Sequence, residues 1–545
     1  MKVLVVFFCY ASTVWTAVVN VKQGSLEGTE LTSRSGKTFH AFQGIPFAKP
    51  PTGDLRFRNP EPFPAWDGVR DATKEGPICV QEIVMIPDFA GLPLGEEDCL
   101  YLNVYTPDPN PGKKLPVMVW IYGGAYQMGG ADSRTCGPTY IMDRDVIYVN
   151  FNYRLGSFGF LSFEDPMLAG NFGLKDQQLA LHWVKDNIAA FGGDPDSITL
   201  FGESAGSSSV HHHLAAPGSQ GLFHRAIMQS GSAWCPWALI TPGIPKIRAQ
   251  ALATILGCYG NMEEVIKCLR QVPSDVILQA QLKFMEWGVC PMVNFAPVIE
   301  PDHAGAFITQ HPYLYKTSPV PLIIGVNKDE GALFTARMCA DDNAFLNQLN
   351  DRWDRYLPMT VLPNNIVDKE HTETQVSDTI SKYYLGGNRV DVDQLHNLTD
   401  MFSDILFMHC VHKAAVHHSG PVYFYVYAYQ GEVTFATLFG ECPNSMGVSH
   451  ADELINLFDY DALFGIKLEG KDLEMSQTML ALWSNFAATG IPTDDAGKIH
   501  WTKFDASSSQ DYLEFGQNEI TMKQKPFEER IKFIESLPLA MKKLT

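Results

Sequence analysis

The stretch Phe191–Gly206, FGGDPDSITLFGESAG, joins a strand pattern to the pentapeptide Gly202-Glu203-Ser204-Ala205-Gly206. Residues 197–201 are mostly apolar or β-branched, which predicts a buried strand. The run SSSVHHHLAA that follows ends at Pro217-Gly218 and predicts a short helix. A G-x-S-x-G between a strand and a helix predicts a nucleophile elbow, in which Ser204 lies on a strained turn and the flanking glycines avoid clashes with neighbouring backbone.

Composition and charge narrow the class of protein. The chain has 545 residues, 46% of them hydrophobic and 19% charged, with a formal charge of −20 and a mean hydropathy of −0.07. These values predict a globular protein and argue against a polytopic membrane protein or a nucleic-acid partner, because phosphate binding needs basic patches. The acidity itself is most simply explained by solubility.

The first residues are typical of a secretory signal. Met1-Lys2 precedes an apolar run too short to span a membrane, so we expect a signal peptide over 1–17, with Ala11 as a second cleavage point. A buried first strand is the alternative. No linker or repeat divides the remainder, so 18–545 is predicted to form one domain, and ESLPLAMKKLT contains no anchor or retention signal. We therefore expect a secreted protein without a membrane anchor.

Strand and helix patterns alternate along the chain and predict an α/β fold. Residues 20–60 suggest antiparallel strands, and 340–400 suggest helices over one edge of the sheet. The stronger strands are predicted at 99–105, 116–122, 145–151, 321–326 and 422–427, and a helix at 177–190. This alternation predicts a large, mostly parallel central sheet with helices on both faces and an N-terminal antiparallel segment.

A serine hydroxyl needs a base, and the base needs a carboxylate that fixes its tautomer. After an elbow serine, the acid and then the histidine are expected further along the chain. Glu330 follows the strand PLIIGV, with Asp329 as its rival, and His450 follows a Gly/Pro-rich stretch in GVSHADEL. Each alone could be structural, the acid at a helix start and the histidine near an N-cap. Their order after the elbow favours a triad of Ser204, Glu330 and His450.

A glycine loop, Tyr122–Tyr126, follows the apolar strand 116–122. Small residues there let backbone N–H groups approach a substrate carbonyl, so we predict an oxyanion hole from the N–H groups of Gly124, Ala125 and Ala205. The alternative is a plain glycine turn after a strand.

Eleven cysteines are present, with Cys9 in the predicted signal. Spacing suggests two local disulfides, Cys79 with Cys99 and Cys258 with Cys268. The other cysteines are predicted to be buried thiols: Cys136, Cys235, Cys290, Cys339, Cys410 and Cys442.

No metal or cofactor is predicted. The chain has no C-x-x-C, no P-loop and no dinucleotide fingerprint. His211, His212 and His213 are consecutive, and consecutive helix residues point about 100° apart, so they are predicted to be structural. A glycosylation sequon stands at Asn397-Leu398-Thr399.

The chain resembles the type-B carboxylesterase/cholinesterase family of α/β-hydrolases, and most of all its insect carboxylesterases. The resemblance rests on the elbow stretch, the glycine loop and the runs FQGIPFA, EDCLYLN, NYRLG, QSGS, CPW, NKDEG and SHADEL. It implies Ser204 as nucleophile, Glu330 as acid and His450 as base, with Glu203 and Ser230 supporting them. It also implies the two disulfides named above and a buried Arg56–Glu97 ion pair.

Departures from the family pattern bear on the substrate. The Cys79–Cys99 loop has no tryptophan, so the usual cation–π platform for a choline ester is missing. Glu203 replaces the glutamine usual before the serine in juvenile-hormone esterases. Trp237 matches the family's acyl-pocket tryptophan. Pro291 and Val293 stand where acetyl-selective members carry bulky aromatics, which implies a roomier acyl side, although core packing explains Val293 equally well.

The sequence thus predicts a secreted serine carboxylesterase that hydrolyses small-molecule esters through an acyl-enzyme. Detoxification and the breakdown of odorant, pheromone or hormone esters are all compatible with it, and organophosphates and carbamates should trap Ser204. Two alternatives of the same fold are a binding protein without catalysis and a weak stoichiometric scavenger, which turnover would distinguish. The natural ester and the oligomeric state are not predicted.

Overall fold

The computed structural model describes residues 17–84, 92–288, 290–338, 343–364, 366–387, 389–440 and 446–539. The expected signal peptide, apart from Ala17, lies outside these residues, as do Cys339 and Cys442. The division into a signal peptide and one domain over 18–545 stays a prediction.

An eleven-stranded sheet forms the centre of the molecule, in the order β16-β15-β14-β13-β12-β11-β9-β10-β8-β4-β3. The strands from β15 to β10 in this order pair in parallel, and the strands at the two ends pair antiparallel. A small sheet joins β1, β2 and β5, and β6 pairs with β7. The strands are β1 (Val18–Val21), β2 (Gly24–Glu27), β3 (Thr29–Thr32), β4 (Thr38–Pro46), β5 (Val69–Asp71), β6 (Gln81–Glu82), β7 (Pro93–Leu94), β8 (Tyr101–Thr106), β9 (Leu115–Ile121), β10 (Ile147–Phe151), β11 (Gly193–Glu203), β12 (Arg225–Gln229), β13 (Leu322–Asn327), β14 (Val422–Tyr427), β15 (Asp511–Phe515) and β16 (Ile520–Gln524).

Helices connect the strands, and a π-helical segment, Asp404–Met408, joins α12 to α13. Among the described residues, none of these helices combines the length and apolarity needed to cross a bilayer. The helices are α1 (Ser133–Cys136), α2 (Gly156–Phe160), α3 (Phe172–Asn187), α4 (Ala205–Ala215), α5 (Ile244–Ile255), α6 (Met262–Gln271), α7 (Ser274–Leu282), α8 (Ala332–Thr335), α9 (Ala344–Asp351), α10 (Trp353–Val361), α11 (Glu373–Leu385), α12 (Leu395–Ser403), α13 (His409–His417), α14 (Ala436–Phe439), α15 (Asp461–Phe464), α16 (Gly470–Thr489) and α17 (Glu528–Ser536).

The apolar strands lie where both faces of the sheet are covered. Every residue of β10, β13 and β14 is buried, and so is β9 from Val117 onward. Strands buried on both faces need continuous apolar runs rather than alternation, which is what these sequences contain. The predicted α/β fold with an antiparallel N-terminal part is therefore confirmed, and the predicted helical region after residue 340 contains α9 to α12.

The register of the sheet brings the loops that follow β9, β11 and β12 to one edge. In β11, Gly202 lies opposite Ile121 of β9, and Glu203 lies opposite Gln229 of β12. Parallel strands that end together place their following loops side by side at the carboxyl edge. The turn at Ser204, the glycine loop and the segment after Gln229 therefore emerge as neighbours.

The described residues contain three disulfides, one more than the spacing suggests. Cys79–Cys99 and Cys258–Cys268 are formed, and Cys136 and Cys290 are buried free thiols. The prediction that Cys235 and Cys410 are thiols is wrong, because they are bonded to each other across 175 residues of sequence. Sequence spacing could not reveal this pair, since α13 and the turn at Cys235 meet only through the fold of the sheet.

Two buried arginines form ion pairs with carboxylates. The Arg56 guanidinium forms a two-pronged ion pair with Glu97, as the resemblance implied, and Arg154 pairs with Asp176 at 2.7 Å with both side chains almost fully buried. The sequon residue Asn397 is exposed on α12. Its glycosylation stays a prediction.

Candidate active site

The elbow at Ser204 has the predicted geometry. Ser204 connects β11 to α4 with φ 56° and ψ −121°, a left-handed conformation that is strained for a residue with a side chain. Its backbone N–H donates to Gln229 O at 2.8 Å, which holds the turn against β12. A Cβ on Gly206 would lie 2.0 Å from Ile121 O, so glycine is required for α4 to pack this closely against β9.

Glu330 and His450 form a buried pair. His450 Nδ1 donates to Glu330 Oε2 at 2.5 Å, and Glu330 Oε1 accepts from the backbone N–H of Asn327 at 2.8 Å. The rival acid, Asp329, instead accepts from the backbone N–H of Val448 at 2.9 Å and so holds the histidine loop. Of the two adjacent acids, only Glu330 orients the imidazole.

The other imidazole nitrogen faces Glu203. His450 Nε2 lies 3.0 Å from Glu203 Oε1, so within the described part of the chain both ring nitrogens face carboxylates rather than the Ser204 hydroxyl. The imidazole nitrogen expected to serve the hydroxyl therefore contacts the residue that precedes the serine. Catalytic hydrogen bonds often form only when substrate is bound, so this arrangement does not argue against His450 as the base.

The cluster strongly perturbs its titrating groups. Burial lowers the pKa of His450, but the charges of Glu203 and Glu330 outweigh it and raise the pKa to about 9. Burial raises the pKa of Glu203 to about 8, against the opposing charge of His450. Titrating groups that are perturbed in this way and lie in contact are typical of catalytic sites. Here the neighbouring carboxylates keep the His450 ring protonated at neutral pH.

Glu453 is a further buried acid that the sequence analysis did not assign. Its oxygens accept from Gln229 Nε2 at 3.1 Å and from Asn327 Nδ2 at 2.5 Å, and burial raises its pKa to about 7. The one feature of the sequence that pointed to Glu453 is its position in SHADEL, three residues after His450. Glu453 links the strand end at Gln229 to the acid loop at Asn327.

The glycine loop lies directly against the elbow. A Cβ on Gly123 would lie 2.5 Å from Glu203 Oε2 and 3.0 Å from Ser204 Cβ. Gly124 and Ala125 both have positive φ, at 98° and 56°. Within the residues that the structure describes, no group accepts a hydrogen bond from the N–H groups of Gly124, Ala125 or Ala205. These donors are therefore available to an oxyanion.

Trp237 lies beside the elbow, since a Cβ on Gly231 would contact both Ser204 O and the Trp237 ring. Trp237 Nε1 donates to Leu406 O at 2.8 Å, in the π-helical segment whose Phe407 ring lies 4.5 Å from the His450 ring. Such segments are frequent at functional sites. This one contacts both the predicted acyl tryptophan and the predicted base.

Two other predicted positions are buried. Val293 is 3% exposed. The Ser230 hydroxyl is fully buried and has no hydrogen-bond partner among the described residues, and its role in supporting the triad together with Glu203 stays a prediction.

The consecutive histidines of α4 have structural partners. His212 Nδ1 lies 2.8 Å from Tyr315 OH, His213 Nε2 lies 3.0 Å from Gln177 Oε1, and burial lowers the pKa of each histidine to about 3. In the described ranges, no three His, Cys, Asp or Glu side chains are grouped so that they could hold a metal ion.

Comparisons with known proteins agree with this geometry. The family model described as "Carboxylesterase family" matches residues 16–534. Esterase E4 of Myzus persicae is 37% identical over 90% of this chain and 89% of its own length, and a carboxylic ester hydrolase of Bombus ignitus is 39% identical over 90% and 88%. The crystal structure of juvenile hormone esterase from Manduca sexta, with OTFP covalently attached, superposes with a TM-score of 0.85 at 27% identity, covering 96% of this chain and 99% of that chain. The fold is therefore that of the α/β-hydrolases.

Proposed function

Because the chain belongs to the carboxylesterase family and is a carboxylic ester hydrolase, we propose that it is a serine esterase with Ser204 as nucleophile, His450 as base and Glu330 as orienting acid. One observation carries the proposal: a fully buried glutamate holds an imidazole at 2.5 Å, and the other nitrogen of that ring faces the residue that precedes a serine on a strained turn. A structural histidine would not need this arrangement of carboxylates on both ring nitrogens.

The reaction proceeds in two halves. Ser204 Oγ attacks the ester carbonyl carbon while His450 Nε2 takes its proton, and the oxyanion accepts from the N–H groups of Gly124, Ala125 and Ala205. His450 then gives the proton to the leaving alcohol, and the acyl group stays on Ser204. A water deprotonated by His450 attacks this acyl-enzyme, releasing the acid and returning the proton to Ser204.

Neutral small-molecule esters fit the surroundings best. Trp237 and Val293 are apolar groups for the acyl side, and the formal charge of −20 gives no long-range attraction for anionic substrates. Breakdown of xenobiotic, odorant, pheromone or hormone esters is compatible with this class. Secretion is supported by three disulfides, which persist in oxidising compartments.

The proposal is tested by covalent labelling together with turnover. An organophosphate or carbamate should inactivate the wild-type protein and add one mass increment to the peptide that contains Ser204. Ser204→Ala should take no label, and its kcat for nitrophenyl acetate should fall by at least about 10³-fold. Equal labelling of the two proteins would refute the nucleophile, and a burst without steady turnover would indicate a scavenger.

Acyl-chain preference tests the substrate side. With the small side chain of Val293 on the acyl side, nitrophenyl butyrate should be hydrolysed with a kcat/KM no lower than that for nitrophenyl acetate. Val293→Phe should reverse this order by filling the space. A clear preference of the wild-type protein for acetate would show that the acyl side is not roomy.

A further inference from the structure

The acyl loop, Pro291–Phe295, is held by side chains that bond to its backbone. Gln127 Nε2 donates a short hydrogen bond to Met292 O. Arg248 Nη1 donates to Asn294 O at 2.9 Å and to Val293 O at 3.4 Å. Side chains from outside the loop therefore hold the three consecutive carbonyls of Met292, Val293 and Asn294 in place.

Gln127 joins the acyl loop to the glycine loop. It directly follows Tyr126, and its backbone N–H donates to Gly124 O at 2.9 Å. The side chain is buried, so water does not compete with its hydrogen bond. Displacement of Met292 would therefore pull on the segment whose N–H groups we assign to the oxyanion.

Arg248 holds the two carbonyls that follow the one bound by Gln127. It lies on α5, and no carboxylate pairs with it among the residues described. Burial lowers its pKa to about 10, so the guanidinium stays charged at neutral pH, and a charged donor makes a stronger hydrogen bond to a carbonyl than a neutral one.

The space behind the acyl loop is open. Arg248 and Pro291 line a groove of about 730 Å³, together with residues of α10 such as Pro358 and Met359. Because Pro291 borders this open groove, the loop has space on that side into which it could move if its hydrogen bonds were lost.

We propose that Gln127 and Arg248 are positioning residues that set acyl-chain selectivity by fixing the backbone of the acyl loop. The proposal rests on the proposed function, in which the acyl group of the substrate lies between Trp237 and Val293. Neither residue touches the reacting atoms. Each limits how far Val293 retreats when a longer acyl chain enters, and Gln127 also transmits that displacement to the glycine loop.

The test is a series of nitrophenyl esters from acetate to hexanoate. Gln127→Met has nearly the same shape but no donor, and it should raise the ratio of kcat/KM for hexanoate to that for acetate about five-fold or more, mainly through a lower KM for hexanoate. Arg248→Met should change the ratio in the same direction. Arg248→Lys keeps the charge and one donor, so it should restore part of the wild-type ratio.

Gln81 provides a matched control. Its Nε2 donates to Gly129 O at 2.7 Å and its Oε1 accepts from Gly129 N–H at 2.7 Å, so it holds the other end of the same segment and, among the described residues, makes no hydrogen bond to the acyl loop. Gln81→Met should lower kcat for all acyl lengths by a similar factor and leave the ratio within two-fold of wild type.

The outcomes separate the proposal from the proposed function. If Gln127→Met and Arg248→Met retain the wild-type ratio within two-fold, with thermal unfolding midpoints that show them folded, the positioning role is overturned even when Ser204 is labelled. If Ser204→Ala still takes label, the proposed function fails whatever the ratio. Should one of the two methionine variants not fold, the other decides alone, because each hydrogen bond is predicted to restrain the same loop.

Discussion

Replacing Glu203 by glutamine should move the pH dependence of the enzyme to lower pH. The carboxylate lies 3.0 Å from His450 Nε2, and its charge helps to raise the pKa of His450 to about 9. Two unit charges about 4 Å apart interact by about 4 kcal/mol at an effective dielectric constant near 20, which corresponds to about three pKa units. Burial raises the pKa of Glu203 itself to about 8, so its charge is not fully present at neutral pH. We therefore expect a decrease of about one to two units.

The sign follows from the role of the base. His450 must be neutral to take a proton, so kcat/KM for a nitrophenyl ester should rise with pH through the pKa of His450 in the free enzyme. In Glu203→Gln the imidazolium loses a stabilising charge, its pKa falls, and the rise occurs at lower pH. At pH 6.5 the variant should reach about 10 to 75 times the fraction of its own plateau that wild type reaches, for a decrease of one to two units from about 9.

Glu453→Gln is the matched variant for this experiment. Glu453 also raises the pKa of His450, but its oxygens contact Gln229 and Asn327 rather than the imidazole, so the profile should move less than in Glu203→Gln. Both variants are to be measured between pH 5 and 10 at constant ionic strength, after their thermal unfolding has been checked at each pH. An unchanged or upward-shifted limb in Glu203→Gln would refute the assigned electrostatics.

Three changes elsewhere should affect stability. Loss of the Cys235–Cys410 disulfide in a double serine variant should lower the free energy of unfolding by about 5 kcal/mol, since it closes a long loop. Asp176→Asn should cost about 3–5 kcal/mol, because it leaves the buried Arg154 charge uncompensated. Gly206→Ala should cost at least about 3 kcal/mol and most of the activity, because its Cβ would overlap the backbone of β9. Each is measured by denaturant unfolding with a parallel esterase assay.

Each of these changes has its own control. The Cys258–Cys268 disulfide closes a loop with a sequence separation of only 10, so its removal should cost about 3 kcal/mol, and an equal or larger loss would contradict the loop-length argument. Replacing Arg154 by Met together with Asp176 by Leu should be milder than Asp176→Asn alone. Gly112→Ala meets nothing within 4 Å and should be neutral.

The amino-acid sequence by itself determined the backbone pattern and the chemistry-bearing positions. The strand before Ser204, the turn and α4 follow from local periodicity, and Gly206 follows from the space that the turn allows. Glu330 and His450 were predicted because Glu330 follows a strand pattern, His450 follows a Gly/Pro-rich stretch, and both come after the serine in the expected chain order. Each of these signals is contained in a short stretch of sequence, so each can be predicted without knowledge of the fold.

The tertiary structure alone decided which groups meet. Asp329 and Glu330 are adjacent in sequence, and only the path of the chain after β13 turns Glu330 toward the imidazole and Asp329 toward Val448. The Cys235–Cys410 bond and the contact between His450 and Glu203 join segments far apart in sequence. Such contacts depend on the order of strands in the sheet, because that order, and not any local pattern, sets which loops share the carboxyl edge.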